Sequence, residues 1–438
     1  MKDRLLSLTA AMVLTLSTFA ASIKTDRTWY LAGEAMKVSV SAENTLVAYA
    51  ELCDTHGLVA GIVVSLKEGT GQGVIELPSN LHSGYYLLSA YTRGNADVSQ
   101  QLVAVINPLR KSVDDDIEWV EASVDSGACS VERVELATAA PSALDSRVAA
   151  NAKLNTLNST LQPSTELEGH IVLARIKNVR DGHTFIGGEI RPSLSIVGKQ
   201  IHYFEGKMVN DSTAVFYTFG IHGKRPLVLS AMSYTGVSLP IEMISPFAAL
   251  LPKQLPHLVF HYNRSEVEAR SLDMQRHQMA IAPAKREVKI GDFSDDAAED
   301  GVPLDYEETV FGFKPDLSYN LDEYRQFFTV REVLLEYVNC VKRTKIDDIP
   351  RLIVRREQDQ YNSTLPTLVL IDGMPVNDIE RLLNYDARRI HYINIYANQY
   401  TFGNSVYNGI LSFVTRSGRL TNYPTDPYMQ YLVYEFPE

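Results

Sequence analysis

His257 and His261 stand four residues apart, a spacing that on a helix sets two imidazoles on one face, ready for a metal. The residues between them, Leu258-Val259-Phe260, read as strand. In a strand the same spacing separates the two rings by about 13 Å, too far for one ion. The chain has no H-E-x-x-H, no G-x-S-x-G, no P-loop and no dinucleotide fingerprint. Asp347-Asp348 pairs two carboxylates without an evident nucleophile or pocket; a pair assembled by folding would leave no spacing signal. Asp292–Glu308 holds eight acidic residues and no Lys or Arg. Its core, Asp295-Asp296-Ala-Ala-Glu299-Asp300-Gly301, lacks the alternate-position oxygens of a calcium loop, so a solvated linker is expected. Cys53, Cys129 and Cys340 are too few for a disulfide scaffold or a zinc cluster. One bridge fits the count, and buried small residues in strands fit it better. The expectation is no catalytic set, no metal and no cofactor.

What remains is contact chemistry. Ala397–Asn408 reads as a loop carrying Tyr400, Phe402 and Tyr407, aromatic anchors of the kind that hold a partner. Covering the edge of their own sheet would occupy them equally well. The elements around them are legible. Thr367–Ile371 is a short apolar run ending in Asp372-Gly373, a turn pair with Gly373 at positive φ. Asn377 and Glu380 have capping-box spacing, and Ile379, Leu382 and Leu383 follow at helical spacing. Ile390–Tyr396 and Ile410–Thr415 are two further apolar runs. The order is strand, helix, strand, long loop, strand. Upstream, Thr329 and Glu332 form another capping box ahead of Val330, Val333, Leu334, Tyr337, Val338 and Val341, and Arg351–Arg356 reads as strand.

The runs Leu370–Val376 (LIDGMPV), Ile395–Gly403 (IYANQYTFG) and Asn408–Gly418 (NGILSFVTRSG) resemble, in order and spacing, the plug domain of TonB-dependent outer-membrane receptors. Such a receptor needs a barrel of about 22 strands, and the 20 residues after Gly418 cannot supply one. The resemblance therefore implies a plug-like α+β module without its barrel.

Composition sets the frame. The formal charge is −12 and hydrophobic residues make up 45%. That charge disfavours nucleic acid as a partner, since phosphate contacts need basic patches. Residues 1–21 read as a signal peptide: Lys2 and Arg4, then Leu5–Phe19 as apolar core, then Ala20 and Ala21. No later segment is long enough to span a bilayer as a helix. Residues 22–109 read as an antiparallel β-sandwich, with Met36, Val38 and Val40 alternating, and strands over Leu46–Leu52, Leu58–Leu66, Val74–Leu77, Gly84–Tyr91 and Leu102–Ile106. The runs Thr25–Val40, Leu77–Gly94 and Val105–Leu109 resemble the macroglobulin-type sandwich of alpha-2-macroglobulin-like proteins. The thioester of that family needs a Gln three residues after a Cys. Here those positions hold His56, Glu132 and Arg343.

Residues 110–165 read as a linker or a reduced β domain, with Val131–Ala137 and Val148–Leu157 as candidate strands. Residues 166–250 read as a second sandwich, similar in strand rhythm to transthyretin-like or carboxypeptidase-regulatory domains. Residues 251–320 read as an acidic connector with a polar helix near Glu266–Met279, 321–420 as the plug-like domain and 421–438 as a tail. The fold class expected is mainly β and multidomain: Ig/macroglobulin-like sandwiches followed by a small α+β unit. Sandwiches followed by a barrel-less plug resemble envelope proteins of the Bacteroidetes type. That implies an exported, non-catalytic scaffold of a Gram-negative periplasm or outer membrane, bound to an envelope protein such as a β-barrel. A peptide- or glycan-binding module assisting uptake is the alternative, and an enzyme with a cleft-assembled site the third reading.

Overall fold

A computed structural model describes residues 21–93, 98–122, 128–132, 134, 166–167, 169–197, 201–281, 313–346, 348–355, 365–403, 405–418, 420 and 423–437. The expected signal peptide (described only at Ala21), the strand Val148–Leu157, the acidic run Asp292–Glu308 and Asp347 lie outside these residues.

The first sandwich is built from β1 (Ser22–Thr25), β2 (Trp29–Leu31), β3 (Ala35–Ser41), β4 (Val47–Cys53), β5 (Leu58–Ser65), β6 (Thr70–Glu76), β7 (Gly84–Tyr91) and β8 (Ser99–Ile106). They form two sheets, ordered β1-β3-β6 and β2-β8-β7-β4-β5. In β3 the alternation holds: Met36, Val38 and Val40 are buried, Lys37 and Ser39 exposed. The sheets are not wholly antiparallel as expected, because β2 pairs with β8 in parallel. β7 does not alternate; all eight residues are buried. Tyr86, Leu88 and Ala90 face the sandwich core, while Tyr85 and Tyr91 face a further layer outside it. A strand covered on both faces reads as a continuous apolar run.

The layer over Tyr85 comes from two stretches read as linker and connector, and that over Tyr91 from Phe247, Ala248 and Leu250. β9 (Ile117–Glu121) and β10 (Ser130–Val131) precede the second sandwich, which holds β11 (His170–Ile176), β12 (Val179–Arg180), β13 (His183–Thr184), β14 (Ile190–Ile196), β15 (His202–Glu205), β16 (Lys207–Asn210), β17 (Thr213–Thr218), β18 (Gly223–Ser233) and β19 (Ile241–Ile244). Then β20 (Leu258–Tyr262) returns and inserts between β10 and β9. Residues 251–281 are thus structure and not connector. The helix α1 (Arg264–Ile281) follows, polar as expected. It docks through a narrow buried seam, Val267, Ser271 and Met274, and through specific contacts. Arg270 pairs with Glu34 at 2.5 Å and lies 3.6 Å over the Trp29 ring, and Met274 sits where a Cβ on Gly33 (φ +92°) would stand.

The α+β unit contains β21 (Leu317–Asn320), α2 (Val330–Glu336), β22 (Val341–Ile346), β23 (Ile349–Val354), β24 (Leu368–Ile371), β25 (Met374–Pro375), α3 (Ile379–Leu383), β26 (Ile390–Phe402) and β27 (Ser405–Thr415). Its sheet runs β21-β26-β27-β24-β25, with β24 parallel to β27. The Thr329–Glu332 capping box is present: Thr329 accepts from the Glu332 N–H at 3.3 Å, and Glu332 from the Thr329 N–H at 3.0 Å. The expected Asn377–Glu380 box does not form; the helix has a simple N-cap one residue later. Asp378 caps α3, accepting from the Glu380 and Arg381 N–H groups, because Asn377 instead bonds Ser230 of the second sandwich. Gly373 has φ +84°, and the Asp372 carboxylate, 1% exposed, accepts from the Thr415 N–H, the Thr415 hydroxyl and the Leu420 N–H.

Two expectations fail here. Ala397–Asn408 is not a loop: β26 runs on to Phe402, and β27 starts at Ser405. Tyr400 pairs with Tyr407 across this hairpin. Nor are residues 421–438 a tail. β28 (Gln430–Phe436) pairs antiparallel with β18, from Gly223↔Phe436 to Leu229↔Gln430, and completes the second sandwich, whose sheets run β16-β17-β11-β19 and β15-β14-β18-β28. Tyr434 and Phe436 enter its core. The α+β unit is therefore an insertion between β19 and β28, and its core includes Val197 and Val228 of the sandwich.

Candidate functional site: a groove between the sandwiches

The two sandwiches meet on a buried polar network. Glu51, fully buried on β4, accepts from the N–H groups of Ala249 and Leu250 and from the Tyr91 hydroxyl, and the Tyr91 oxygen accepts from the Ala248 N–H. That clamps the segment leaving the second sandwich onto the first. Beside it, Glu166 accepts from the Tyr49 hydroxyl at 2.5 Å and the Ile171 N–H at 3.1 Å, with Arg93 Nη1 at 3.7 Å and His170 Nδ1 at 3.4 Å. His170 Nε2 lies 2.6 Å from the Tyr434 hydroxyl on β28. Burial opposes the Glu166 charge, yet the contacts from His170, Arg93 and Tyr49 outweigh it and hold its carboxyl below the usual range. Burial pushes the His170 imidazole down against the pull of Glu166, so the ring is neutral. With the carboxylate at Nδ1, the favoured tautomer carries its proton there and accepts from Tyr434 at Nε2.

Next to this joint lies a groove of about 1030 Å³. Lys24, Lys37, Ser39 and Val74 of the three-stranded sheet form one wall. Gly61–Ser65 of β5 form the floor side, and Met243, Phe247 and Leu432–Phe436 the other wall. The charges are mixed, Lys24 and Lys37 against Asp26 and Glu435. Of the buried network only Tyr434 reaches the groove.

β28 presents a strand edge there. The Pro226 carbonyl accepts the Val197 N–H at 3.2 Å, so residue 226 turns its main chain toward β14. Leu227 then turns toward β28 and its partner Leu432 faces back. Val433, opposite Pro226, directs its N–H and C=O away from β18, as do Tyr431 and Glu435. Among the described residues no strand pairs on that side.

The three aromatic candidates stand elsewhere: Phe402 and Tyr407 between the second sandwich and the α+β unit, Tyr400 within that unit. Tyr400 stacks on Phe313, centroids 4.8 Å apart, and Phe402 meets Tyr203 at 5.4 Å. Tyr407 is 5% exposed; its hydroxyl lies 3.3 Å from that of Tyr203 and donates to Glu205 at 3.1 Å. Burial raises the Glu205 carboxyl against the Ser405 and Tyr407 hydroxyls and the Arg191 charge. Phe402 and Tyr407 join two parts of one chain. His257 and His261 do not meet at a metal; they reach Asp116 and Glu132 respectively. Among the described residues no group of three or more His, Cys, Asp or Glu is placed to hold an ion, no disulfide joins the cysteines, and no helix is long and apolar enough to cross a membrane. The sequence does not signal the groove edge, because residues 421–438 read as a tail until β18 pairs with them.

No protein-family model matches the chain, and no curated protein matches it significantly. Solved structures similar to it include a biofilm-associated protein BSP domain (8% identity, TM-score 0.18, 56% of this chain and 30% of that one). Escherichia coli alpha-2-macroglobulin activated by porcine elastase is another (10% identity, TM-score 0.19, 53% and 20%). A putative membrane anchored protein from Corynebacterium diphtheriae is a third (11% identity, TM-score 0.17, 56% and 59%). The chain spans less than two thirds of each. Scores of this size do not establish a shared fold, and none of the three lends the chain a function.

Proposed function

We propose that this protein is a non-catalytic, exported envelope scaffold that holds an extended segment of a partner protein in the groove between its sandwiches. The outward-facing edge of β28 carries the reading. An open edge offers alternate main-chain donors and acceptors to an incoming strand, and the apolar and charged walls supply side-chain selectivity. The resemblance of residues 321–420 to a plug domain supports placing the partner in the Gram-negative envelope, an outer-membrane barrel protein being one such partner.

The test uses a photoreactive residue at Val74, a groove wall position 44% exposed, in living cells, in the native chain and in Val433→Pro. Proline at 433 deletes a donor on the open side and spares the ladder to β18. A discrete envelope-protein adduct that drops about tenfold in Val433→Pro is the expected result, the size of one well-placed hydrogen bond and its neighbours. No adduct, or one indifferent to the proline, would sink the proposal.

A further inference from the structure

A second cavity, sharing no lining residue with the groove, lies between the β14–β18 face and the α+β unit, with a volume of about 300 Å³. Its walls are largely apolar: Met232, Pro350, Leu352, Pro366, Val376 and Ile379 among them. Two arginines, Arg191 and Arg351, line it, and no Asp or Glu does. On a chain of net charge −12 a walled space with two cations and no carboxylate is an unusual field.

The two arginines have different neighbours. Arg351 donates to the Thr235 carbonyl at 2.6 Å and ties the Tyr234–Gly236 turn to β23. Arg191 has rings for neighbours, Tyr234 at 3.9 Å and Tyr407 at 5.8 Å. Its Nε is buried without a hydrogen-bond partner among the described residues. Glu205, the carboxylate that senses its charge, stands behind Tyr407 and outside the lining. The planar guanidinium fork matches a carboxylate, and no Asp or Glu lines the cavity to compete for it. Tyr203, Tyr407 and Ser193 also line the cavity, as does the Ser230–Asn377 pair. A mostly apolar pocket with a few convergent polar groups is the form of a small-molecule site, and this volume stands at the lower end of that class.

We propose that this cavity binds a small amphipathic carboxylate, its head on Arg191 and its apolar body against Leu352, Val376 and Ile379. The site is independent of the groove. Calorimetry on the purified chain tests it with 3-phenylpropionate, 3-phenylpropionamide and inorganic phosphate. The expected result is that the carboxylate binds, the amide binds at least about tenfold more weakly, and phosphate, lacking the apolar body, shows no heat. Arg191→Gln should lose at least about tenfold in affinity, while Arg191→Lys, keeping the charge without the fork, falls between. Should Arg191→Gln fail to fold, the carboxylate-against-amide comparison on the native chain decides alone. Equal binding of acid and amide, phosphate binding as strong as the carboxylate, affinity unchanged in a folded Arg191→Gln, or no heat at millimolar carboxylate would each overturn it.

Discussion

Phe436→Ala separates a tail from a structural strand. Phe436 is 1% exposed, in the core of the second sandwich, with its ring 4.9 Å from that of Tyr434 and 6.3 Å from that of His170. Truncating a fully buried phenylalanine removes its transfer free energy and leaves a cavity, together about 3–5 kcal/mol. Val433, three residues earlier on the opposite face of the strand and 46% exposed, should cost well under about 1 kcal/mol when cut to alanine. Urea unfolding followed by two probes measures this. Both tryptophans pack against Phe260, Trp29 at 5.0 Å and Trp119 at 5.3 Å, so indole fluorescence reports the first sandwich and its outer layer. Tyrosine near-UV dichroism includes the second. With a slope of about 1–2 kcal/mol per molar urea, the Phe436→Ala midpoint should fall by roughly 2 M. The indole transition should fall with it, because Tyr434 on β28 and Tyr49 in the first sandwich both contact His170. A shift no larger than that of Val433→Ala would refute the placement of β28, and a tyrosine shift without an indole shift would refute the coupling.

Two further expectations rest on buried polar groups. His170 has a folded-state pKa below its unfolded value of about 6.5. The unfolded chain therefore binds a proton first, and stability falls as pH drops below that value, by up to about 1.4 kcal/mol per unit. The groups facing the ring are Glu166, Arg93, Tyr49 and Tyr434; Glu166, with its lowered carboxyl, gives way only below the usual carboxylate range. His170→Gln should flatten the urea midpoint between about pH 5 and 6.5, and an unchanged slope there would point to another group. Asp372→Asn turns an amide donor toward one of the donors that the carboxylate now accepts. The expected cost is about 1–3 kcal/mol, read from the same urea curves; a neutral result would mean the turn at Gly373 holds without it.

How much of this was legible depends on how local the signal was. The alternation of Met36, Val38 and Val40, the Gly84–Tyr91 run and the Thr329–Glu332 cap are settled within a few residues, and each appears where the pattern puts it. The hairpin that carries Tyr400, Phe402 and Tyr407 has a local sequence signal. Gly403-Asn404 between two alternating aromatic runs is a hairpin signal, and reading the glycine as loop punctuation overlooks it. The cap at Asp378 could not be chosen over Asn377 locally, because Ser230 decides it. Arg191 gave no signal at all: one cation in a polar-apolar strand acquires meaning only when β23 and Tyr407 close a wall around it.

β28 is the extreme case of distance. Leu432 pairs with Leu227, a separation of 432 − 227 = 205 residues. Closing a flexible loop of that size costs about 5 kcal/mol in chain entropy by the logarithmic law, more than one strand of seven residues readily offsets alone. The inserted unit changes the sum by folding within the loop. Its own core takes in Val228 of β18 at one side and Leu420 and Met429, just before β28, at the other. The unit thereby carries the returning chain to the strand it must join. On this argument the α+β unit is what makes the groove edge exist, so a chain lacking residues 313–420 should lose the second sandwich as well as the insertion. A folded, partner-binding product of that deletion would show the edge to be independent of the unit.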